Sequence, residues 1–482
     1  MVSETRIEHD LLGEREVPAR AYWGIHTLRA LENFPISGLP VGRSRHLVRS
    51  LGLVKQAAAR ANRDLGLLAP AIASAIDQAC AEVAAGTLDD QFVVDMIQGG
   101  AGTSTNMNAN EVIANRALEL LGRPFGDYRV VHPIEHVNRS QSTNDVYPTA
   151  LRLAAIFGVR DLIASMAHLR GAFEARAFAF RDILKIGRTQ LQDAVPMTLG
   201  QEFSAYAVML AEDEARLGEA LGLLREISLG ATAIGTGINT DPAYAGAACR
   251  HLGQLTGERL VTSPNLVEAT QDVGAFVQLS GILKRVAVKL SKSCNDLRLL
   301  SSGPQAGFNE IRLPPRAAGS SIMPGKVNPV IPEVVNQIAF EVIGNDLTIT
   351  LAAEGGQLQL NAFEPVIAYS LHKSLTHLAA GCRTLADNCV SGIAANADLL
   401  AERVRTSVGL ATALNPLLGY DKATEIATEA LTSGRGVAEL VLERGLMTAA
   451  ELARALAPEA LTGPRARADA PAGVPAGGAG SA

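Results

Sequence analysis

The fold is constrained most by one apolar stripe, which runs from residue 276 to residue 300 without a proline. Its side chains recur at steps of three and four residues: Phe276, Leu279, Leu283, Val286, Leu290, Leu297 and Leu300. Ser293 is the one polar exception, and Gly303-Pro304 ends the pattern. At 1.5 Å per residue the stripe predicts a helix about 37 Å long. Long helices with such a seam are typical of helical bundles.

Two further stripes predict long helices of the same kind. One follows Pro196 and comprises Leu199, Phe203, Tyr206, Leu210, Leu217, Leu221 and Leu224. The other follows Pro332 and comprises Val334, Ile338, Val342 and Ile349. Aromatic residues make up only 4 % of the chain, which favours helix over strand. We therefore expect an all-α, three-domain subunit with a long central helical bundle.

Apolar residues also lie between the heptad positions, for example Ala287 and Val288. A helix that is apolar on more than one side must be covered on more than one side, so we expect an oligomer with a core shared by several chains. Along the chain we expect an N-terminal helical domain at 1–143, a central long-helix bundle at 144–398 and a small C-terminal helical domain at 399–462. Residues 463–482, rich in Pro, Ala and Gly, are expected to form a disordered tail.

Charge and hydropathy exclude several classes of protein. The chain has 43 Lys and Arg against 49 Asp and Glu, a net charge of −6, and no basic block. A nucleic-acid binder would need clustered basic residues. No apolar run is long enough to span a bilayer, and the first ten residues lack the pattern of a signal peptide. We expect a cytoplasmic protein that acts on a small molecule and has no nucleic-acid or membrane partner.

The cysteines and histidines do not indicate a metal site. The five cysteines are scattered and form no CxxC pair: Cys80, Cys249, Cys294, Cys382 and Cys389. We expect buried, reduced thiols. His132 and His136 have the i, i+4 spacing of a metal pair, but Pro133 indicates a helix start with His132 as its cap. We therefore expect neither a metal nor a cofactor.

Four polar stretches, three of them punctuated by glycine, lead into helical patterns: residues 102–106, 140–145, 187–193 and 319–329. Backbone N–H groups and hydroxyls at helix N-termini bind carboxylate or phosphate. Any one stretch is explained equally well as a set of helix N-caps. Four of them together, with Lys326 in the last, favour an anion site.

The stretch at 319–329 has the residues that a serine base needs. Gly319 and Gly325 bracket Ser320 and Ser321, so the loop can move and its backbone can approach a ligand closely. A serine acts as a base only when backbone N–H groups, a cation and a closed site stabilise its alkoxide. Lys326 supplies the cation. The GxSxG elbow of a nucleophilic serine is absent, which argues against acyl transfer.

This last stretch, Gly-Ser-Ser-Ile-Met-Pro-Gly-Lys-Val-Asn-Pro, resembles the signature loop of the fumarase/aspartase superfamily. The other three stretches match that superfamily in the same order, and the resemblance covers residues 3–460. Within the superfamily the chain is most similar to the aspartases. Residues 14–18 and 24–30 resemble the aspartase opening, and Ser142-Thr143-Asn144 stands where fumarases usually carry Ser-Ser-Asn.

One position separates the two branches of the superfamily. Fumarases have Thr-His where this chain has Thr189-Gln190, and their histidine is thought to pair with a glutamate that matches Glu333. Because glutamine cannot carry a proton, the water-activating dyad is missing here. Some aspartases share the glutamine and others keep the histidine, so the difference argues against a fumarase more than it indicates an aspartase.

The resemblance implies reversible elimination of ammonia from L-aspartate, which gives fumarate through an aci-carboxylate intermediate. It also implies a homotetramer whose active sites are shared between chains. The roles implied by motif matching are a base, Ser320; β-carboxylate ligands, Thr103, Ser142, Thr143 and Ser321; α-carboxylate ligands, Thr189, Lys326 and Asn328; and amino-group contacts, Asn144 with Thr103 and Gln190.

Two alternatives remain open at this point. The nearer one is a class II fumarase, or a lyase that acts on a related aspartate derivative. The other is a catalytically silent helical protein that reuses the scaffold for binding or structure. The presence of all the donor residues and of the implied base weighs against the silent protein.

Overall fold

The computed structural model describes residues 4–463, so the expected tail at 463–482 lies, but for its first residue, outside the described residues. Within this range the chain forms α-helices α1 to α17: Ile25–Asn33, Arg45–Asp64, Pro70–Ala85, Thr103–Leu120, Thr143–Ala179, Leu199–Leu224, Tyr244–Thr256, Leu266–Ala269, Gly274–Leu300, Val330–Glu354, Glu364–Asn388, Ala397–Thr406, Leu410–Leu418, Tyr420–Ser433, Val437–Glu443, Ala449–Ala455 and Pro458–Leu461. The strands β1 to β8 are Thr5–Asp10, Gly13–Pro18, Leu184–Thr189, Gln192–Thr198, Glu226–Ile227, Val261–Thr262, Ile311–Arg312 and Ala394–Ala395.

The all-α fold class is confirmed, because the strands form only small two-stranded sheets. The hairpins β1–β2 and β3–β4 are antiparallel, with Thr5 opposite Pro18 and Leu184 opposite Thr198. The other two pairs are two residues long, β5–β6 parallel and β7–β8 antiparallel. No helix in residues 4–463 is both long and apolar enough to cross a membrane.

The chain divides into two compact units. Within residues 4–463, the first contains everything up to Leu169, Met209–Asp296 and Val330–Ala386, and the second contains Arg170–Val208, Leu297–Pro329 and everything from Asp387. The division into domains at 1–143, 144–398 and 399–462 stays a prediction.

The long helices of the predicted bundle lie mainly in the first unit, which contains α10, the part of α6 from Met209 on and the part of α9 up to Asp296. The stripe of α9 is buried from Phe276 to Leu300, and the stripe of α6 from Leu199 to Leu224. Polar contacts join the bundle helices as well: Ser280 on α9 donates to Asp346 on α10 at 2.8 Å. The third stripe is partly wrong. Val342 and Ile349 are buried, but Val334 is 39 % exposed, because the buried face of α10 runs through Val335 and Ala339 instead.

The second unit has its own core, formed by helices α12 to α16 and the hairpin β3–β4. Its buried apolar residues include Ile186, Val404, Leu414, Ile426 and Leu440. All five cysteines of the chain are buried, as expected from the sequence.

Candidate active site

Two of the predicted stretches lie at the start of helices α4 and α5 in the first unit. Thr103 is the first residue of α4; it is exposed, and its Oγ1 donates to the carbonyl of Gly100 at 2.7 Å. Thr143 is the first residue of α5. Asn106, one turn into α4, donates from Nδ2 to Oγ1 of Thr143 at 3.0 Å, so the two helix starts are joined by a hydrogen bond.

The turn before α5 is held by its own side chains. Oδ1 of Asp145 accepts from the backbone N–H of Ser142 at 3.0 Å, and Oγ of Ser142 accepts from that of Asn144 at 3.2 Å. The side-chain amide of Asn144 donates to the carbonyl of Ala233 at 2.7 Å. Ser142 and Asn144 are half-buried, and Thr143 is buried. Their positions are therefore fixed before any ligand arrives.

Asp145 itself has a structural role. Its Oδ2 accepts from the backbone N–H groups of Gly230 and Thr232 at 3.0 and 2.9 Å. Burial raises the pKa of Asp145 to about 6, while these N–H groups oppose the rise. The carboxylate thus fastens the turn to a neighbouring loop.

The third stretch is the tip of the β3–β4 hairpin, in the second unit. Thr189 ends β3, and Gln190 and Leu191 form the turn with φ of +54° and +63°. Thr189 and Gln190 are exposed. Next to Thr189, the guanidinium of Arg188 forms an ion pair with Glu310 at 2.6 Å.

Glu310 is the centre of a buried charge cluster that holds this hairpin. Its side chain is 1 % exposed and also pairs with Lys185 at 2.8 Å. Lys185 is 2 % exposed and has a second carboxylate partner, Glu202, at 2.6 Å. Since β3 carries both cations, the cluster fixes the strand that ends at Thr189.

The fourth stretch is the loop 319–329, also in the second unit. Gly319 and Gly325 both have φ of +79°. The Cα of Gly319 lies so close to the carbonyl oxygen of Lys326 that a Cβ there would overlap it. Oγ of the half-buried Ser320 accepts from the backbone N–H of Ile322 at 3.2 Å. Only a glycine allows this closed turn at 319.

The remaining residues of this loop lie at the surface of the chain. Ser321 and Lys326 are exposed, and Asn328 is half-buried. Ile322, Met323 and Val327 are 79 %, 47 % and 51 % exposed. Exposed loops of this kind are where closure over a ligand is found in other enzymes.

The predicted site residues thus form two groups. Thr103, Ser142, Thr143 and Asn144 belong to the first unit. Thr189, Gln190, Ser320, Ser321, Lys326 and Asn328 belong to the second. Each group is supported within its own unit by the contacts above. That all ten residues serve one site stays a prediction.

The two histidines of the possible metal pair are used by the backbone. His132 caps a short π-helix, Pro133–Val137: its Nδ1 accepts from the N–H groups of Ile134 and Glu135 at 3.0 and 3.2 Å. Nδ1 of His136 accepts from the N–H of His132 at 2.9 Å. The interpretation of His132 as a helix cap is confirmed. In the described part of the chain, no three His, Cys, Asp or Glu side chains are grouped to hold a metal ion.

Sequence reasoning missed a polar network behind the start of α5. Lys55 on α2 is fully buried, and its Nζ donates to Oδ1 of Asn138 at 2.8 Å and to Oε1 of Gln141 at 3.0 Å. The sequence does carry a signal for it. Lys55 occupies a position of the apolar stripe of α2, four residues after Leu51 and three before Ala58, both of which are buried.

Comparison with known proteins gives the same family over almost the whole chain. Residues 13–344 match the family model described as lyase, and residues 410–463 match the one described as fumarase C C-terminus. An aspartate ammonia-lyase of Pseudomonas aeruginosa is 59 % identical over 96 % of this chain and 98 % of its own length.

Two solved structures are similar in both fold and sequence. A fumarate lyase:delta crystallin of Brucella melitensis bound to cobalt has a TM-score of 0.93 and 56 % identity, and covers 96 % of this chain and 100 % of its own. A class II fumarase of Schistosoma mansoni has a TM-score of 0.87 and 35 % identity, over 94 % of this chain and 98 % of its own. The chain therefore belongs to the fumarase/aspartase superfamily of lyases.

Proposed function

We propose that this protein is an aspartate ammonia-lyase, which eliminates ammonia from L-aspartate to give fumarate and catalyses the reverse addition. The observation that carries the proposal is the identity to the Pseudomonas aeruginosa aspartate ammonia-lyase, 59 % against 35 % for the class II fumarase. Gln190 supports the same choice, since an amide cannot take a proton from water.

The difficult step is removal of a proton from C3 of aspartate, whose neighbouring carboxylate is already negative. The dianion that forms must be stabilised by donors that are in place beforehand. Thr103, Ser142, Thr143 and Ser321 hold this β-carboxylate. The fixed turn before α5 supports the assignment, because its hydroxyls need no reorganisation when charge develops. Loss of one such donor typically costs about 3–4 kcal/mol of transition-state stabilisation.

Ser320 is the base that takes the C3 proton. The backbone N–H of Ile322 donates to its Oγ, and this bond stabilises the oxygen when it carries negative charge. Lys326 lies on the same closed turn as Ser320. Closure of the loop excludes water, which strengthens both interactions.

The other end of the substrate is held by Thr189, Lys326 and Asn328, which bind the α-carboxylate and so decide which carbon faces Ser320. Asn144, with Thr103 and Gln190, contacts the amino group as it leaves. The ion pair between Arg188 and Glu310 supports the role of Thr189, because it fixes the strand on which Thr189 lies.

The active protein is a cytoplasmic homotetramer in which several chains contribute to each site. An apolar face of α10 supports the assembly: Phe340, Ile343, Leu347 and Leu351 are 63, 39, 61 and 61 % exposed. Their spacing of three, seven and eleven residues puts them on one side of the helix. A continuous apolar face of this kind is covered in water by another protein surface, and we infer that this surface is the same face of a second chain.

The test is product analysis of the purified protein. With fumarate and ammonium we expect aspartate, and with fumarate alone we expect no malate. The reverse reaction is followed by the ultraviolet absorbance of fumarate after aspartate is added. Malate formed from fumarate would indicate a fumarase instead. If neither product forms and no fumarate appears from aspartate, the protein is the silent scaffold.

A further inference from the structure

Lys55 is a buried lysine without a contacting anion. The whole residue is 0 % exposed, and the two partners of its Nζ are neutral amide oxygens. Among residues 4–463 no carboxylate forms an ion pair with it. An ammonium group taken out of water with no negative partner is strongly destabilising. A residue in this state needs an explanation beyond packing.

The ionisable groups that face Lys55 do not neutralise it by contact. They are Asp145 on α5 and Cys80 on α3. The carboxylate of Asp145 accepts from three backbone N–H groups, and burial raises the pKa of the Cys80 thiol, so the thiol stays neutral. Burial lowers the pKa of Lys55 itself to about 7. Its charge is therefore poised near neutral pH.

A short chain of hydrogen bonds connects Lys55 to Thr143. Oδ1 of Asn138 accepts from Lys55 at 2.8 Å and from Nδ2 of Asn106 at 3.2 Å. The same Nδ2 of Asn106 donates to Oγ1 of Thr143 at 3.0 Å. Because Asn106 occupies that oxygen as a donor, the hydroxyl proton of Thr143 is directed to another acceptor. A carboxylate oxygen is such an acceptor.

We propose that Lys55 is a positioning residue of the anion site, which acts through Asn138 and Asn106 on Thr143 and whose charge is balanced by the dicarboxylate that binds there. The inference rests on the proposed function, since it takes the ligand of Thr143 to be the β-carboxylate of the substrate. It deepens that function by adding a coupling: the bound dianion favours the charged form of Lys55.

The coupling predicts the direction in which protons are exchanged when a dicarboxylate binds. Above pH 7 the free protein holds Lys55 mostly uncharged, and binding of a dianion raises its pKa. The protein then takes up a proton as the ligand binds. At pH 8 a group with a pKa of about 7 is about one-tenth charged, so complete protonation on binding takes up about 0.9 proton.

The experiment is calorimetric titration of the full-length protein with succinate, a four-carbon dicarboxylate that cannot undergo elimination. Titrations at pH 8 in two buffers of different ionisation enthalpy give the number of protons exchanged. We expect an uptake of about 0.9 proton for the wild type and for the matched control Lys422→Met, an exposed lysine of α14. We expect almost none for Lys55→Met. A lysine with a purely structural role would change the melting temperature without changing this number.

No proton uptake by the wild type, or equal uptake by Lys55→Met, would overturn the proposal. If Lys55→Met does not fold, Lys55→Gln replaces it. If neither variant folds, the number of protons that the wild type takes up on binding succinate is measured from pH 6 to pH 8. A number that rises over this range supports a lysine. A number that falls to zero by pH 8 belongs to a histidine and refutes the proposal. A wild type that converts aspartate but takes up no proton leaves the proposed function intact. A wild type that does not convert aspartate refutes the function instead.

Discussion

Replacing Gly319 by alanine tests whether the loop that carries Ser320 must close on itself. A Cβ at Gly319 would overlap the carbonyl oxygen of Lys326. Gly325, at the other end of the loop, has the same φ of +79° but nothing within 4 Å of the position of its Cβ. The pair Gly319→Ala and Gly325→Ala therefore separates steric overlap from backbone strain.

The expected losses follow from this difference. Alanine at either position carries the penalty of the left-handed region, about 1–2 kcal/mol, which is roughly 5- to 30-fold in kcat if the catalytic conformation bears all of it. In Gly319→Ala the carbonyl of Lys326 must also retreat by more than about 1 Å, and a misplacement of that size costs about 100-fold. We expect Gly319→Ala to lose at least roughly 500-fold in kcat.

Initial rates of fumarate formation from aspartate give kcat for both variants, with melting temperature and sedimentation as controls. Sedimentation should stay at the wild-type value, and the backbone penalty should lower the melting temperature by no more than a few degrees, because Gly319 and Gly325 lie on an exposed loop. Equal kcat values for the two variants would show that the overlap at Lys326 does not matter. A near-normal rate for Gly319→Ala would refute the closed turn as the active form of the loop.

Four other outcomes are expected. Ser320→Ala should lower kcat by several orders of magnitude in the same rate assay with an unchanged circular dichroism spectrum, and near-normal turnover would exclude Ser320 as the base. Lys326→Ala should raise KM for aspartate strongly, because it removes binding shared by the ground and transition states, and an unchanged KM would contradict that role. Glu310→Gln leaves the buried cation of Lys185 with a single carboxylate and should reduce the unfolding free energy by about 3 kcal/mol in urea titrations; a loss within the error of the titration would show that the cluster is not needed. Burial and the nearby His46 and His377 lower the pKa of His372 from 6.5 to about 4, so only the unfolded state binds a proton between these values. Stability should therefore fall as pH drops from 6.5 to 4, by at most about 3 kcal/mol, and His372→Gln should remove that dependence in denaturation curves at pH 5 and pH 7.

The long helices could be predicted because apolar side chains spaced three and four residues apart share one side of an α-helix and of no other regular structure. The apolar residues of α9 keep this spacing from Phe276 to Leu300, and they are buried. The same reasoning failed at Val334. The spacing of apolar residues shows which side chains are removed from water. It does not show whether the protein surface that packs against them belongs to the same chain. On α10 the exposed apolar residues and the buried ones lie on different faces, and the sequence pattern mixes the two.

The β3–β4 hairpin had no recognisable turn signature. Its two turn residues, Gln190 and Leu191, have positive φ without being glycine or asparagine. The strand that leads into the turn is anchored by the ion pair of Arg188 with the buried Glu310. Tertiary contacts of this kind leave no local trace in a sequence, so the sequence predicts only a polar stretch that leads into a helix.

The candidate site was partly visible in the sequence. Runs of hydroxyl and amide residues mark Thr103, Thr143 and Ser320, because such runs seldom occupy a bundle core. The role of Lys55 does not follow from the sequence, since a lysine in an apolar stripe normally lies at the edge of the buried face. Only its burial and its hydrogen bonds reveal the role that we infer for it.

The burial of all five cysteines makes the native chain a poor target for electrophiles. Burial raises the pKa of Cys382 and of Cys389 to about 12, so hardly any thiolate is available to react at neutral pH. Alkylation by a maleimide dye would then require the chain to open first. The rate of labelling therefore measures how often the native chain opens, and no engineered reporter is needed.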